Sequence, residues 1–284
     1  VNKNDSLGDR MKGYENVSRN YLTRRVPALI RLDGKAFHSF TKGMQKPFDR
    51  FLMTVMQETM LSLCKEIQGC VFGYTQSDEI TLVLTDYKTI KTDAWFGYNI
   101  QKMASVSASI ATLEFNRIFR EKSNYVKAAA FLEGKKDESG VLNPEDGLVR
   151  RSMLLASKYN KALFDSRCFS VPEDEVCNCL IWRQQDATRN SIEAAGQANF
   201  SHSELHGKSC NEIQDMLFTK KGINWNDYPT DFKRGAACYR VNTTVEMPDR
   251  MTPGHNIEVT RRIWTVDCDI PVFSQDRDFV EKWL

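Results

Sequence analysis

The order of periodic segments along this 284-residue chain predicts an α+β fold, a ferredoxin-like sheet of split βαβ order with helices on one face. Three observations carry the prediction. A short apolar run ends abruptly at Asp33-Gly34, two stretches repeat apolar residues at helical spacing, and two β-rich segments are separated only by Gln76-Ser-Asp-Glu79.

The first strand covers residues 26–33, Val-Pro-Ala-Leu-Ile-Arg-Leu-Asp, and Gly34 ends it through its backbone freedom. Pro47 is expected to open a helix in which Phe48, Phe51, Leu52, Val55, Met56, Thr59, Leu63 and Ile67 form one stripe, up to Gly69. Residues 71–75 and 80–84 are too close in sequence to be anything but an antiparallel hairpin. A second helix follows through Trp95, Ile100, Met103, Val106, Ile110, Leu113 and Ile118, and residues 162–171 supply a fourth strand. Between them, residues 121–154 are polar and rich in turn formers, which predicts an insertion outside the core. After Pro172 a helix carries Val176, Leu180, Ile181 and Ile192, and a shorter one surrounds Cys210 to Lys220. Tyr239, Val241, Thr243, Val245 and Met247 then alternate with polar residues. Residues 257–267 pair with them as a hairpin in which Arg261-Arg262 breaks the alternation and predicts a bulge. The expected division is a catalytic domain over 1–171 and a C-terminal helical and hairpin region over 172–284.

A net charge of +2 excludes a polycation, so any nucleic-acid surface must arise from local clusters. Arg150-Arg151, Lys158 and Lys161 form one, and Lys233-Arg234, Arg240, Arg250 and Arg261-Arg262 another; on charge alone each is equally a solvated surface. No apolar stretch approaches the roughly 20 residues of a membrane span, and the polar residues 1–5 lack the apolar core of a secretory signal, so a cytoplasmic protein is expected. The eight cysteines are scattered and read as reduced core thiols; Cys177 and Cys179, two apart on a helix, face different ways. His202, His206 and Cys210 have the one metal-like spacing, and Gly207 interrupts it.

Function enters through two carboxylates. In a split βαβ sheet the first strand neighbours the hairpin, so Asp33 and Asp78 meet at one edge, where a pair of Mg²⁺ ions could hold a nucleoside triphosphate. Gly34 adds a carbonyl that can ligate an ion and amides that can approach phosphates. Either segment alone is an ordinary turn. In this order, each after a strand, they indicate a metal site.

With these pieces in hand, the chain resembles the tRNA-histidine guanylyltransferase superfamily of 3′-to-5′ nucleotide-adding enzymes, which have a polymerase-like palm. The matching segments are Arg31-Leu-Asp-Gly-Lys-Ala-Phe-His-Ser-Phe40, Lys46-Pro-Phe-Asp49, Tyr74-Thr-Gln-Ser-Asp-Glu79, Lys102, Phe164-Asp-Ser-Arg167, and Trp182-Arg-Gln-Gln-Asp-Ala187 with Asn190. The resemblance implies a palm catalytic domain, with Asp33, Gly34 and Asp78 as ligands of two Mg²⁺ ions and Asp33 and Asp78 as the catalytic pair. It implies nucleotide contacts from Asp33, Gly34, Lys35, Ala36, Phe37, His38, Lys46, Asp49, Ser77, Asp78, Glu79 and Lys102, with Phe37 and His38 near base or ribose. It implies ATP and GTP or another NTP as substrates, tRNA as partner, and a homotetramer built as a dimer of dimers. Arg183, Asn190, Lys208, Arg240, Arg261 and Arg262 are the candidate tRNA contacts; for Arg183 the competing reading is an i, i+3 ion pair with Asp186.

One departure stands out. Where eukaryotic members resemble one another in a His-Ile-Asn-Asn stretch associated with selecting tRNA-His, this chain has Thr188-Arg-Asn-Ser191. That favours the guanylyltransferase-like repair branch, which extends 5′-truncated tRNAs on a template, over addition of a single G to tRNA-His. A nucleotide cyclase and a non-catalytic tRNA-binding protein are the rival readings.

Overall fold

In the computed structural model, residues 6–136, 139–248 and 256–284 are described; residues 1–5 and Arg250, named above, lie outside them. The elements follow in the order α1 (Ser6–Asn16), β1 (Ala28–Gly34), α2 (Phe37–Phe40), α3 (Arg50–Glu66), β2 (Cys70–Gln76), β3 (Glu79–Leu84), a 3₁₀ turn (Trp95–Tyr98) and α4 (Ile100–Glu133). Then come α5 (Gly147–Ala156), β4 (Phe164–Ser170), α6 (Glu173–Asn199), α7 (His202–Leu205), α8 (Cys210–Lys221), α9 (Thr230–Arg234), β5 (Ala236–Pro248), β6 (Asn256–Asp267) and α10 (Asp278–Glu281).

The strands form one antiparallel sheet in the order β4-β1-β3-β2-β5-β6. Alternation along each strand sorts side chains onto its two faces. Ile30, Leu32, Ile80, Leu82 and Leu84 meet α3 and α4 through Val55, Met56, Met60, Met103 and Phe115. Phe72, Tyr74 and Val83 point the other way, against Val176, Cys177 and Leu180 of α6 and against Phe273 and Val280. Helices therefore cover both faces, not one. The cause is the C-terminal region, whose longest helix returns across the sheet.

Three further expectations change. Pro47 precedes the helix it was expected to open: Asp49 is the N-cap, its side chain accepting from the Leu52 amide, and α3 begins at Arg50. Residues 121–154 are largely helical, since α4 continues to Glu133 and α5 follows, burying Ala130, Val149 and Leu155. Their apolar positions were hidden by intervening polar residues on the solvent side. Finally, β5 and β6 pair without interruption, Asn242 opposite Arg262 and Thr243 opposite Arg261, so no bulge marks the arginines. They are exposed on opposite faces of an arm that leaves the sheet, where no core demands alternation.

Candidate active site

Asp33 ends β1 and Asp78 occupies the tip of the β2–β3 hairpin. Gln76 and Glu79 close that two-residue loop, Ser77 takes a left-handed backbone (φ 49°), and the Thr75 hydroxyl donates to the Glu79 carbonyl at 2.9 Å. The amide of Gly34 donates to the Asp78 carbonyl at 3.0 Å, tying the two carboxylate-bearing segments together by their backbones. Gly34 is required by packing: a Cβ there would lie 2.3 Å from the Phe37 ring.

The two carboxylates feel each other. Burial raises the pKa of Asp78, the Ser77 hydroxyl (3.0 Å) opposes that, and the charge of Asp33 raises it further. Among the described residues, neither carboxylate has a basic partner. Two hard oxygen ligands with an adjacent backbone carbonyl and uncompensated negative charge fit a divalent cation of the Mg²⁺ type. No group of three or more His, Cys, Asp or Glu side chains among the described residues is arranged for a metal. The candidate His202, His206 and Cys210 do not share a helix, because α7 ends at Leu205 and Gly207 turns the chain (φ 74°).

Acid residues extend the edge. Asp33 lies opposite Glu79 on one side and Asp165 on the other, so all three share the α6 face. Glu79 is neutralised: Arg183 of α6 donates to it at 2.7 Å and to Asp186 at 2.8 Å. Burial still raises the Glu79 pKa, with the guanidinium acting against it. Arg183 is itself only 8 % exposed, so it braces the hairpin that carries Asp78 and is no surface contact for RNA. The i, i+3 pair with Asp186 is the reading that holds, extended by a second carboxylate.

Two adjoining cavities open beside the carboxylates. The first, about 440 Å³, is lined by Gly34, Ala36, His38, Ser77 and Asp78; the second, about 250 Å³, shares Thr41, Leu52 and Ser77 with it and adds Lys46, Phe48, Asp49, Asn190 and Phe232. Lys46 and His38 are exposed here, as is Lys35, which lines neither cavity, and the two lysines form no ion pair among the described residues. Asn190 thus borders the cleft beside Lys46.

Other expected contacts are displaced. Phe37 lines the first cavity, yet it is only 3 % exposed and packs on Phe40, Phe115 and Phe164 at 5.0–5.4 Å, so it is a core residue that forms part of the cavity wall. Asp49 lines the second cavity, but its carboxylate is consumed by the amides of Leu52 and Gln45 and by Arg151 at 2.7 Å. Lys102 stands in the first turn of α4, whereas the carboxylate edge meets that helix near Thr112, whose hydroxyl accepts from the Phe164 amide. At about 1.5 Å per residue it is roughly 15 Å too far along. Lys208 pairs with Glu212 at 2.9 Å, away from the cleft. Arg240 lies over Trp264 at 4.8 Å, and Arg261 and Arg262 are exposed.

Two residues first seen only as a basic cluster support the cleft. Lys158, just past α5, is buried and donates to the carbonyls of Phe40 and Lys42, the latter at 2.9 Å. With Arg151 on Asp49, it pins both ends of the loop between α2 and α3 that walls the cavities.

An antiparallel sheet with a pair of unneutralised carboxylates at one edge and a nucleotide-sized cleft beside them defines a nucleotidyl-transferring enzyme. The family model described as tRNAHis guanylyltransferase matches residues 8–172, more than half of the chain, and the chain belongs to that family of nucleotidyltransferases. It is 39 % identical to a solved bacterial tRNA(His) guanylyltransferase-like protein in complex with ATP (TM-score 0.75, 98 % of each chain), and 36 % to one in complex with GTP (TM-score 0.72, 98 % and 99 %). The tRNA(His) guanylyltransferase of Saccharomyces cerevisiae is 27 % identical over 75 % of this chain and 81 % of its own. No helix among the described residues is long and apolar enough to cross a membrane.

Proposed function

We propose that this enzyme adds nucleotides in the 3′-to-5′ direction to the 5′ end of tRNA, directed by the opposing strand, and so repairs 5′-truncated tRNAs on a polymerase-like palm. The carrying observation is Thr188-Arg-Asn-Ser191 in place of a histidine-bearing stretch. The first and last of these positions are committed to the fold: the Ser191 hydroxyl donates to the Lys233 carbonyl and accepts from Trp225 at 3.2 Å, and Thr188 bonds back to Gln184. Likeness to the bacterial guanylyltransferase-like proteins over nearly the whole chain supports the same branch.

The reaction has two displacements at phosphorus. A 5′-monophosphate lacks a leaving group, so it first attacks the α-phosphate of ATP, expelling pyrophosphate and leaving an adenylylated 5′ end. The 3′-hydroxyl of the incoming nucleoside triphosphate then attacks the RNA 5′-phosphate, and AMP departs. Asp33, Asp78 and the Gly34 carbonyl would hold two Mg²⁺ ions, which when bound supply charge neutralisation on the triphosphate and acidify the attacking hydroxyl. The chain itself does the positioning: Lys35 and Lys46 attract phosphate oxygens, and Phe48 and Phe232, stacked at 4.9 Å, wall the cleft against water. The proposed assembly is a homotetramer; helix α1, which buries none of its residues and exposes Leu7, Met11 and Tyr14, offers an apolar face for contact between copies.

The test supplies labelled tRNAs lacking their first nucleotide with ATP, each NTP and Mg²⁺. The expected result is addition of the complementary base to several tRNA species. Exclusive addition of G to full-length tRNA-His, whatever the opposing base, establishes the alternative, single-G guanylyltransferase.

A further inference from the structure

Beside the carboxylates, on the α6 face of the sheet, lies a surface to which none of the preceding roles applies. Trp182 on α6 is 53 % exposed, unusual for an indole so close to a sheet that the same helix elsewhere buries. Two guanidinium groups lie over its ring: Arg183 at 4.5 Å from the centroid and Arg31 at 5.6 Å. Arg183 is fixed by Glu79, the residue that follows Asp78, and Arg31 precedes Asp33 by two positions on the same face of β1. The indole is therefore held in register with both carboxylates. Arg31 makes no hydrogen bond or ion pair through its side chain among the described residues, and its cross-strand neighbour Arg167 is 57 % exposed, touching only Asp165, at 3.6 Å.

An exposed indole with the unpaired guanidinium of Arg31 and the exposed one of Arg167 next to a phosphoryl-transfer site has the chemistry that holds an unpaired or terminal nucleotide: a flat apolar face for the base, cations for the flanking phosphates. We propose that Trp182 is the platform on which the 5′-terminal nucleobase of the RNA acceptor stacks, with Arg31 and Arg167 on the adjoining phosphates. The inference rests on the proposed reaction, and it assigns the RNA end to the exposed indole beside the carboxylates, which lines neither of the two cavities proposed for the nucleotide. Arg31, the more distant of the two cations, is the one a base displaces from the ring toward phosphate.

The experiment compares the full-length wild type with Trp182→Ala, Trp182→Phe and Arg167→Ala, using a 5′-truncated tRNA whose first base is 2-aminopurine. In the wild type, binding is expected to quench 2-aminopurine. Trp182→Ala is expected to remove that quenching and raise the KM for RNA on the order of tenfold, with the KM for NTP unchanged. Trp182→Phe restores most of the quenching, because a smaller ring still stacks, and Arg167→Ala raises the RNA KM while leaving the quenching in place. Unaltered quenching and RNA KM in Trp182→Ala overturn the inference while leaving the reaction standing. So does a change in oligomeric state with RNA binding intact, which makes Trp182 a contact between copies. A wild type that neither binds the labelled RNA nor extends any RNA sinks the reaction and the platform together.

Discussion

The carboxylate edge and the β5–β6 arm both carry residues suited to phosphate, yet they are built in opposite ways. At the edge, charged side chains beside Asp33 and Asp78 are tied down: Glu79 by Arg183, Asp49 by two amides and Arg151, and the cleft loop by Lys158. Along the arm, Arg261 and Arg262 are exposed on opposite faces of a ladder with no layer packed over it, and form no ion pair among the described residues. Chemistry at phosphorus needs groups fixed to a fraction of an ångström, and fixing is achieved by burial and hydrogen bonds. Holding a polyanion needs only charge at roughly the right height. Substitutions in the two regions should therefore fail in different ways.

The largest effect is expected at the edge. Asp33→Asn or Asp78→Asn should lower both activation and addition on the order of 10³-fold with the fold intact, measured as single-turnover incorporation. Asp78→Asn carries a second signature. Because burial raises the folded-state pKa of Asp78 above its unfolded value, the folded protein holds more protons between those two values, and its stability falls as pH rises through that window. At neutral pH the ionised carboxylate is thus a burden on the fold, and Asp78→Asn should raise Tm there while leaving it unchanged well below pH 4.

Next comes the support of the cleft. Lys158→Met removes the donor shared by the carbonyls of Phe40 and Lys42 and leaves them unsatisfied beneath α5. A loss of about 1–3 kcal/mol in denaturant unfolding is expected, with a raised KM for nucleotide and little change in RNA affinity. Equal losses in both affinities would mean that α5 supports the whole molecule and not the cleft loop.

On the arm, Arg261→Ala with Arg262→Ala should raise the KM for tRNA and leave that for NTP nearly unchanged. Every arginine–phosphate pairing removed should flatten the dependence of log K on log salt by about one unit, uniformly across tRNA sequences. Identical binding at low and high salt would return both arginines to the solvated surface.

This contrast also explains what the sequence revealed. Asp33, Asp78 and the hairpin between β2 and β3 were legible because backbone-dictated features, a strand end beside glycine and a two-residue loop, announce themselves in local pattern. A motif gives residue types and spacing, whereas the burial of Phe37 among Phe40, Phe115 and Phe164 at the cavity wall, and the pairing of Glu79 with Arg183, are decided by elements far along the chain. Lys102 was misjudged through distance along a helix whose meeting point with the sheet no periodicity specifies. Trp182, Arg151 and Lys158 were visible as a motif residue and members of a basic cluster, but their roles were not, because each acts on a distant segment. The arm was misread in only one respect, the bulge, since an exposed ladder tolerates consecutive arginines on its two faces.

The smallest effect probes the arm's own design. Glu246 and Glu258 lie directly opposite each other on one face, a like-charge pair that weakens the ladder, while Arg240, Arg261 and Arg262 stand closer to the body. Charge is thus graded along the arm, basic at its root and acidic further out, and phosphate should be drawn to the root alone. Glu246→Lys replaces repulsion by attraction across the ladder and should stabilise the arm by about 0.2–1 kcal/mol, read as slower hydrogen exchange at Thr244 and Glu258. The same change extends positive charge outward, so RNA binding at low salt should tighten slightly for every tRNA. If exchange slows but RNA binding stays constant, the outer arm lies beyond reach of the RNA, and the contrast with the carboxylate edge narrows to the root of the hairpin.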